Sequence, residues 1–119
     1  MIIGVGTDII EIERVAGACC REGFKKRCYT ENELGYINDS SEKFAGNFAV
    51  KEAVAKALGT GFIGFFPKDV ECLRDGFGKP YVILYGGALS RLKEIGGKEV
   101  MVSISHSKDN AVAFAVIEG

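Results

Sequence analysis

The sequence has little of what most metal and nucleophile chemistry requires. Among 119 residues there is one histidine, His106, and the four cysteines, Cys19, Cys20, Cys28 and Cys72, show no C-x-x-C spacing. That argues against a Cys/His metal cluster and against a disulfide framework. Reduced thiols in a cytoplasm are the simplest account, so a cytoplasmic protein is expected. No apolar run approaches the roughly 20 residues of a membrane helix. The opening Met1–Asp8 lacks the positive n-region of a secretory signal and meets Asp8 early. The P-loop pattern G-x-x-x-x-G-K-[ST] is absent. With 15 basic and 16 acidic side chains the net charge is −1, so whole-molecule charge predicts no nucleic-acid binding. There is no repeat, low-complexity tract or linker, and the length suits a single domain over residues 1–119. So small a core gains from association with identical subunits.

The pattern of residues predicts an α+β fold, a largely antiparallel sheet packed against a long central helix. Ile2 to Thr7 reads as a short buried strand, and Glu11 to about Arg21 as a helix. Thr30-Glu31-Asn32-Glu33 is a capping box that opens a helix to about Asn38. Ser40 or Ser41 caps the longest element, Glu42 to Leu58, with Gly59 as its stop. Its apolar residues spread over more than one face, which places it centrally or at a subunit interface. Asp69 to Arg74 and Tyr81 to Leu84 flank the turn Asp75–Pro80. A helix over Ala88–Ile95 and strands over Val100–Ser105 and Asn110–Ile117 complete the chain.

Glu52 lies on the long helix within a mostly small and apolar face that includes Ala45, Phe48, Ala49 and Ala55. A carboxylate there needs a compensating charge or metal. An i,i+4 surface pair with Lys56 is the alternative. Asp8 follows the first apolar strand. It can either cap the next helix or join Glu52 in offering oxygen ligands to Mg²⁺. His106, with Ser105, Ser107 and Lys108, offers donors to an anion, although a lone histidine also fits a structural role. Ser105 and His106 are neighbours on a strand, so they face opposite sides and form no triad. Gly78-Lys79-Pro80 is explained by turn chemistry alone. Between Arg14 and Arg27 the chain carries Arg14, Arg21, Lys25, Lys26 and Arg27 against one acid, Glu22. That is a surface for an acidic partner or a solvated helix end.

Taken together, these segments resemble the holo-acyl-carrier-protein synthases, the short trimeric 4′-phosphopantetheinyl transferases, over nearly the whole chain. Gly4-Val5-Gly6-Thr7-Asp8-Ile9 is similar to the family's G-x-G-x-D start. Phe24 to Glu33 is similar to its R-F-x-x-R-x-x-T-x-x-E stretch, with Gly23 where an Arg is common. Phe48-Ala49-Val50-Lys51-Glu52-Ala53-Val54-Ala55-Lys56-Ala57 matches F-A-x-K-E-A-x-x-K-A, the most specific of the set. Gly78-Lys79-Pro80 matches the G-K-P turn, and Ser103-Ile104-Ser105-His106 matches S-x-S-H. Asn47 departs from an Arg often found before the signature, so another cation must serve any coenzyme A phosphate held there.

The resemblance implies a trimer with active sites at the subunit interfaces. It implies transfer of 4′-phosphopantetheine from coenzyme A to a serine of apo acyl carrier protein in fatty acid biosynthesis, releasing adenosine 3′,5′-bisphosphate. Asp8 and Glu52 are then the Mg²⁺ ligands, and Glu52 takes the serine proton. Lys56 contacts phosphate at the leaving group. His106 holds a coenzyme A phosphate, helped by Ser105, Lys79 or Lys51, while Gly78 and Pro80 shape the nucleotide pocket. The basic cluster from Arg14 to Arg27 receives the carrier protein. A transferase of broader carrier range, usually about twice this length, and a non-enzymatic nucleotide binder on the same fold are the rivals.

Overall fold

In the computed structural model, which describes residues 1–119, the chain wraps around one helix. The elements in order are β1 (Ile2–Glu11), α1 (Ile12–Ala18), α2 (Glu22–Cys28), α3 (Glu31–Ile37), α4 (Ser41–Ala57), β2 (Val70–Arg74), β3 (Pro80–Leu84), α5 (Gly86–Glu94), β4 (Glu99–His106) and β5 (Asn110–Glu118). A 3₁₀ turn at Pro67–Asp69 precedes β2. The α+β class is as expected. The antiparallel strands form two sheets rather than one, a three-stranded sheet in the order β1-β5-β4 and the hairpin β2-β3.

The α4 helix begins where Ser40 Oγ accepts the Lys43 amide and ends at Gly59, whose φ of +86° suits a residue without a β-carbon. Eleven of its 17 residues are buried, so it is the centre of the core rather than a surface helix. The face left partly open carries Phe48, Glu52 and Lys56, one per turn.

Glycine decides how β1 meets this helix. A β-carbon on Gly6 or Gly4 would collide with the carbonyls of Ala53 and Ala57. Strand and helix backbones therefore touch, and the alternation of β1 carries Asp8 to the same helix-facing side as Gly4 and Gly6. The buried partners Ala113, Ala115 and Ile117 of β5 complete that layer.

Two boundaries differ from the expected ones. First, β1 runs to Glu11 because its pairing with β5 continues to Asn110. Asp8 is consequently a mid-strand residue and caps nothing. Second, the helix expected over 11–21 is α1, which stops at Ala18, and α2 follows over Glu22–Cys28, where no helix was expected. The Cys20 and Arg21 amides bond to the Gly17 and Ala18 carbonyls, which tightens and ends the turn, and Arg21 is extended at φ −95°, ψ 120°. Gly23 is the second residue of α2, in its first turn.

Candidate active site

Asp8 reaches α4 because the two glycines before it bring β1 down onto the helix. Its Oδ1 accepts a hydrogen bond from Lys56 Nζ at 3.1 Å, and the same ammonium donates to the Thr7 carbonyl at 3.0 Å. The other oxygen, Oδ2, is buried with no hydrogen-bond partner. Glu52, half-buried one turn before Lys56, faces the same spot. Burial, and then the neighbouring Asp8 charge, hold its carboxyl above the usual carboxylate range, with Lys56 opposing. Two carboxylates are thus held close with one cation on one of them.

Both carboxylates line a cleft of about 700 Å³ whose walls include Arg14, Arg21, Phe24 and Phe48. Phe24 and Phe48 pack at 5.9 Å between ring centres, an apolar wall beside two guanidinium groups. The two rings were not among the expected site residues. Their signal was their place within the matching segments, at the start of each.

Of the expected basic face, the structure brings Arg14 and Arg21 to this cleft. It does not bring Lys25, which pairs with Glu22 at 3.1 Å and Asp39 at 3.8 Å and lies over the Phe44 ring. Lys26 lines a separate hollow with Tyr29, Thr30 and Lys68, and the exposed Arg27 lies near Gly23. Arg14 and Arg21 reach the cleft from α1 and from the turn after it, while Lys25, Lys26 and Arg27 lie on α2.

The remaining expected residues lie elsewhere. His106 Nε2 sits 3.1 Å from the Glu42 carbonyl over the first turn of α4, against Gly46. The Gly78-Lys79-Pro80 turn is at the tip of the β2-β3 hairpin, where Asp75 Oδ1 accepts the amides of Phe77 and Lys79 at 2.9 Å each. Gly78 has φ +82°, which the turn requires. Arg74, just before that turn, donates to Asn47 Oδ1 at 3.0 Å. The base of the hairpin turn is thereby tied to the first half of α4, where His106 also lies.

Two further cations gather there. Lys43 and Arg74 lie over the Tyr36 ring at 4.7 and 4.6 Å, and neither forms an ion pair. They are too far apart in sequence to be read together. Ser105 faces the other way, onto the outer side of the sheet.

Lys51 corrects the expectation of a phosphate contact. It is fully buried, and its three N–H groups go to Glu33 Oε1 at 2.7 Å, the Pro67 carbonyl at 3.2 Å and the Val70 carbonyl. No donor remains for a ligand.

The chain belongs to the 4′-phosphopantetheinyl transferase superfamily, whose sequence model matches residues 4–115. It is 49% identical to the holo-[acyl-carrier-protein] synthase of Clostridium tetani, over 100% of this chain and 98% of that protein. The corresponding protein of Clostridium perfringens strain 13 is 52% identical, over 100% and 96%. Among solved structures, the synthase of Neisseria meningitidis superposes with a TM-score of 0.88 at 36% identity, covering 100% of both chains. That of Bacillus anthracis, in complex with CoA (3′,5′-ADP), gives 0.83 at 38% identity, covering 100% and 98%.

Proposed function

We infer that this chain is a holo-acyl-carrier-protein synthase working as one domain, residues 1–119. It moves the 4′-phosphopantetheine arm of coenzyme A onto a serine of apo acyl carrier protein, for fatty acid biosynthesis, and releases adenosine 3′,5′-bisphosphate. The observation that carries the reading is the pair Asp8 and Glu52 at the edge of a cleft walled by Arg14 and Arg21. The likeness to proteins named for this activity supports it.

The residues present fit Mg²⁺. Asp8 Oδ2 is a buried oxygen without a partner, and Glu52 beside it is half-buried. No group of three or more His, Cys, Asp and Glu side chains is assembled. Two carboxylates completed by water and phosphate oxygens are the usual Mg²⁺ arrangement. When bound there, the ion supplies positive charge to the pyrophosphate.

The chain's own groups do the rest. Glu52 accepts the proton of the serine hydroxyl as the serine oxygen forms its bond to phosphorus. The bond from that phosphorus to the bridging pyrophosphate oxygen breaks, and the electron pair leaves on the nucleotide phosphate. Lys56, held at Asp8, steadies the charge that develops on the leaving group. Arg14 and Arg21 orient an acidic carrier helix at the mouth of the cleft, and Phe24 and Phe48 give it an apolar seat. His106, with Lys79 and the cations Lys43 and Arg74, forms the nucleotide end, where Gly78 and Pro80 fix the turn. Arg74, oriented by Asn47, supplies a cation at the place where position 47 carries none.

Within one chain the two ends lie on different faces of α4. Gly46, under His106, and Glu52 are about 9 Å apart along α4 and about 120° apart around it. A second copy resolves this by bringing its His106 end over the first copy's cleft. The outer face of the three-stranded sheet suits such contact. It exposes Val5, Ile9, Met101 and Phe114 side by side. A homotrimer with its active sites between copies accounts for both features.

The test is the intact mass of a purified apo acyl carrier protein after incubation with this protein, coenzyme A and Mg²⁺. A gain of one phosphopantetheine, lost with EDTA or with Glu52→Gln, is expected. Coenzyme A binding with no mass change on several carrier proteins would overturn the reading in favour of a non-enzymatic binder.

A further inference from the structure

Glu33 begins as a local device. Its Oε1 accepts the Thr30 amide while its own amide donates to Thr30 Oγ1, which closes the capping box of α3. A capping-box glutamate serves only its own helix end and ordinarily lies in solvent. Here it is completely buried and is gripped twice more from α4. Lys51 Nζ donates to Oε1 at 2.7 Å and Asn47 Nδ2 to Oε2 at 3.0 Å. Lys51 and Asn47 are one turn apart on one face of α4. Both also bind the backbone of the β2 segment, Lys51 at Val70 and Pro67, and Asn47 at Cys72. Five hydrogen bonds from two side chains of one helix thus converge on α3 and the β2 segment, the side of α4 away from β1.

Burying this pair costs desolvation that hydrophobic residues of similar volume would avoid. What an apolar contact does not provide is direction. A rotation of α4 by about 10° would carry a side-chain end by roughly 1 Å, whereas Mg²⁺ holds its ligands at about 2.0–2.1 Å in near-ideal geometry. Gly4 and Gly6 set how closely β1 approaches the helix, and the five hydrogen bonds of Lys51 and Asn47 add directional restraint from the opposite side. Glu52 follows Lys51 directly, so whatever fixes the azimuth of Lys51 fixes that of Glu52.

We propose that Lys51, through its buried pair with Glu33, is a positioning residue for Glu52: it locks the rotation of α4 and so holds Glu52 in the cleft that Asp8 also lines. This rests on the metal reading given above. It assigns Lys51 no contact with coenzyme A.

The experiment compares wild type, the double exchange Glu33→Leu with Lys51→Met, and Val54→Ala, a core exchange on the same helix outside the network. Mn²⁺ binding to the protein without substrate is measured by electron paramagnetic resonance, beside Tm, kcat and KM for carrier protein. The double variant is expected to fold, because an apolar pair replaces the buried ions. It should bind Mn²⁺ about tenfold more weakly and lose kcat to a similar extent, with KM for the carrier protein unchanged. Val54→Ala should lower Tm and leave Mn²⁺ binding as in wild type. Wild-type Mn²⁺ affinity and kcat in the folded double variant would overturn the positioning role, and so would an equal loss of affinity in Val54→Ala. If the double variant does not fold, Glu33→Gln carries the same test: weakened Mn²⁺ binding supports the role and wild-type binding overturns it. Failure of wild type itself to bind Mn²⁺ would instead overturn the metal reading beneath it.

Discussion

Lys56 Nζ stands 3.1 Å from Asp8 Oδ1, joining the middle of β1 to α4 across 48 residues of sequence while the second Asp8 oxygen stays free. The lysine side chain is 53% exposed, so the pair contributes at most about 1 kcal/mol to stability. In the proposed reaction its value is chemical. Lys56→Met should leave Tm nearly unchanged and lower kcat by about 10²-fold, the usual cost of removing a group that stabilises developing charge. Urea unfolding and steady-state kinetics on the same preparation check both halves.

Glu52 gives a stability prediction with a definite sign. Its carboxyl is held above the usual range by burial and by Asp8. Between the ordinary and the raised pKa the folded state binds more protons than the unfolded state. Stability therefore falls as pH rises through that window, and the penalty is complete above it. Glu52→Gln removes the penalty. In EDTA the variant should have a higher Tm than wild type at pH 7, with the gain shrinking toward pH 4. Turnover should fall by about 10²–10⁴-fold, as for loss of a general base. Calorimetry across pH tests the first effect, since an unchanged Tm difference would contradict it.

The division of the basic segment predicts unequal effects of charge removal. Arg14→Glu should raise KM for the carrier protein about tenfold, with the difference narrowing at high salt. Lys25→Ala should leave that KM within about twofold, since Lys25 is turned toward Glu22 and Asp39, away from the cleft. Equal effects at the two positions would place the docking face elsewhere.

The proposed sharing of sites between copies predicts complementation. Glu52→Gln and His106→Ala each remove one half of the proposed shared site. If the copies are dissociated, mixed in equal amounts and reassociated, about one quarter of the sites should combine an intact Glu52 with an intact His106 from another chain. Activity should recover to about that fraction of wild type. No recovery above the separate variants would mean that both residues act within one chain.

Much of the fold was legible because its signals are local. The capping box at Thr30 and Glu33 and the Ser40 cap are observed as read. So is the alternation of β4, which turns Val100, Val102 and Ile104 inward and Met101, Ser103 and Ser105 outward. The α2 helix was not legible. Its segment carries Gly23 and no capping side chain, and its buried Cys28 packs with residues of α1 and α4. Lys51 misled for a related reason. A lysine next to a functional glutamate reads as exposed, and its burial depends on Glu33, 18 residues away.

The sequence by itself determined most of the element types, the family and the candidate pair Asp8 and Glu52, because each is written in short stretches with their own periodicity or motif. Tertiary structure alone decided which neighbours share a site. It set Glu52 and Lys51 on different sides of α4, one toward a cleft and one into a buried network. It also sent His106 to the far end of the helix from Asp8. Such assignments depend on contacts among residues tens of positions apart, and on a helix whose 100° steps separate adjacent side chains.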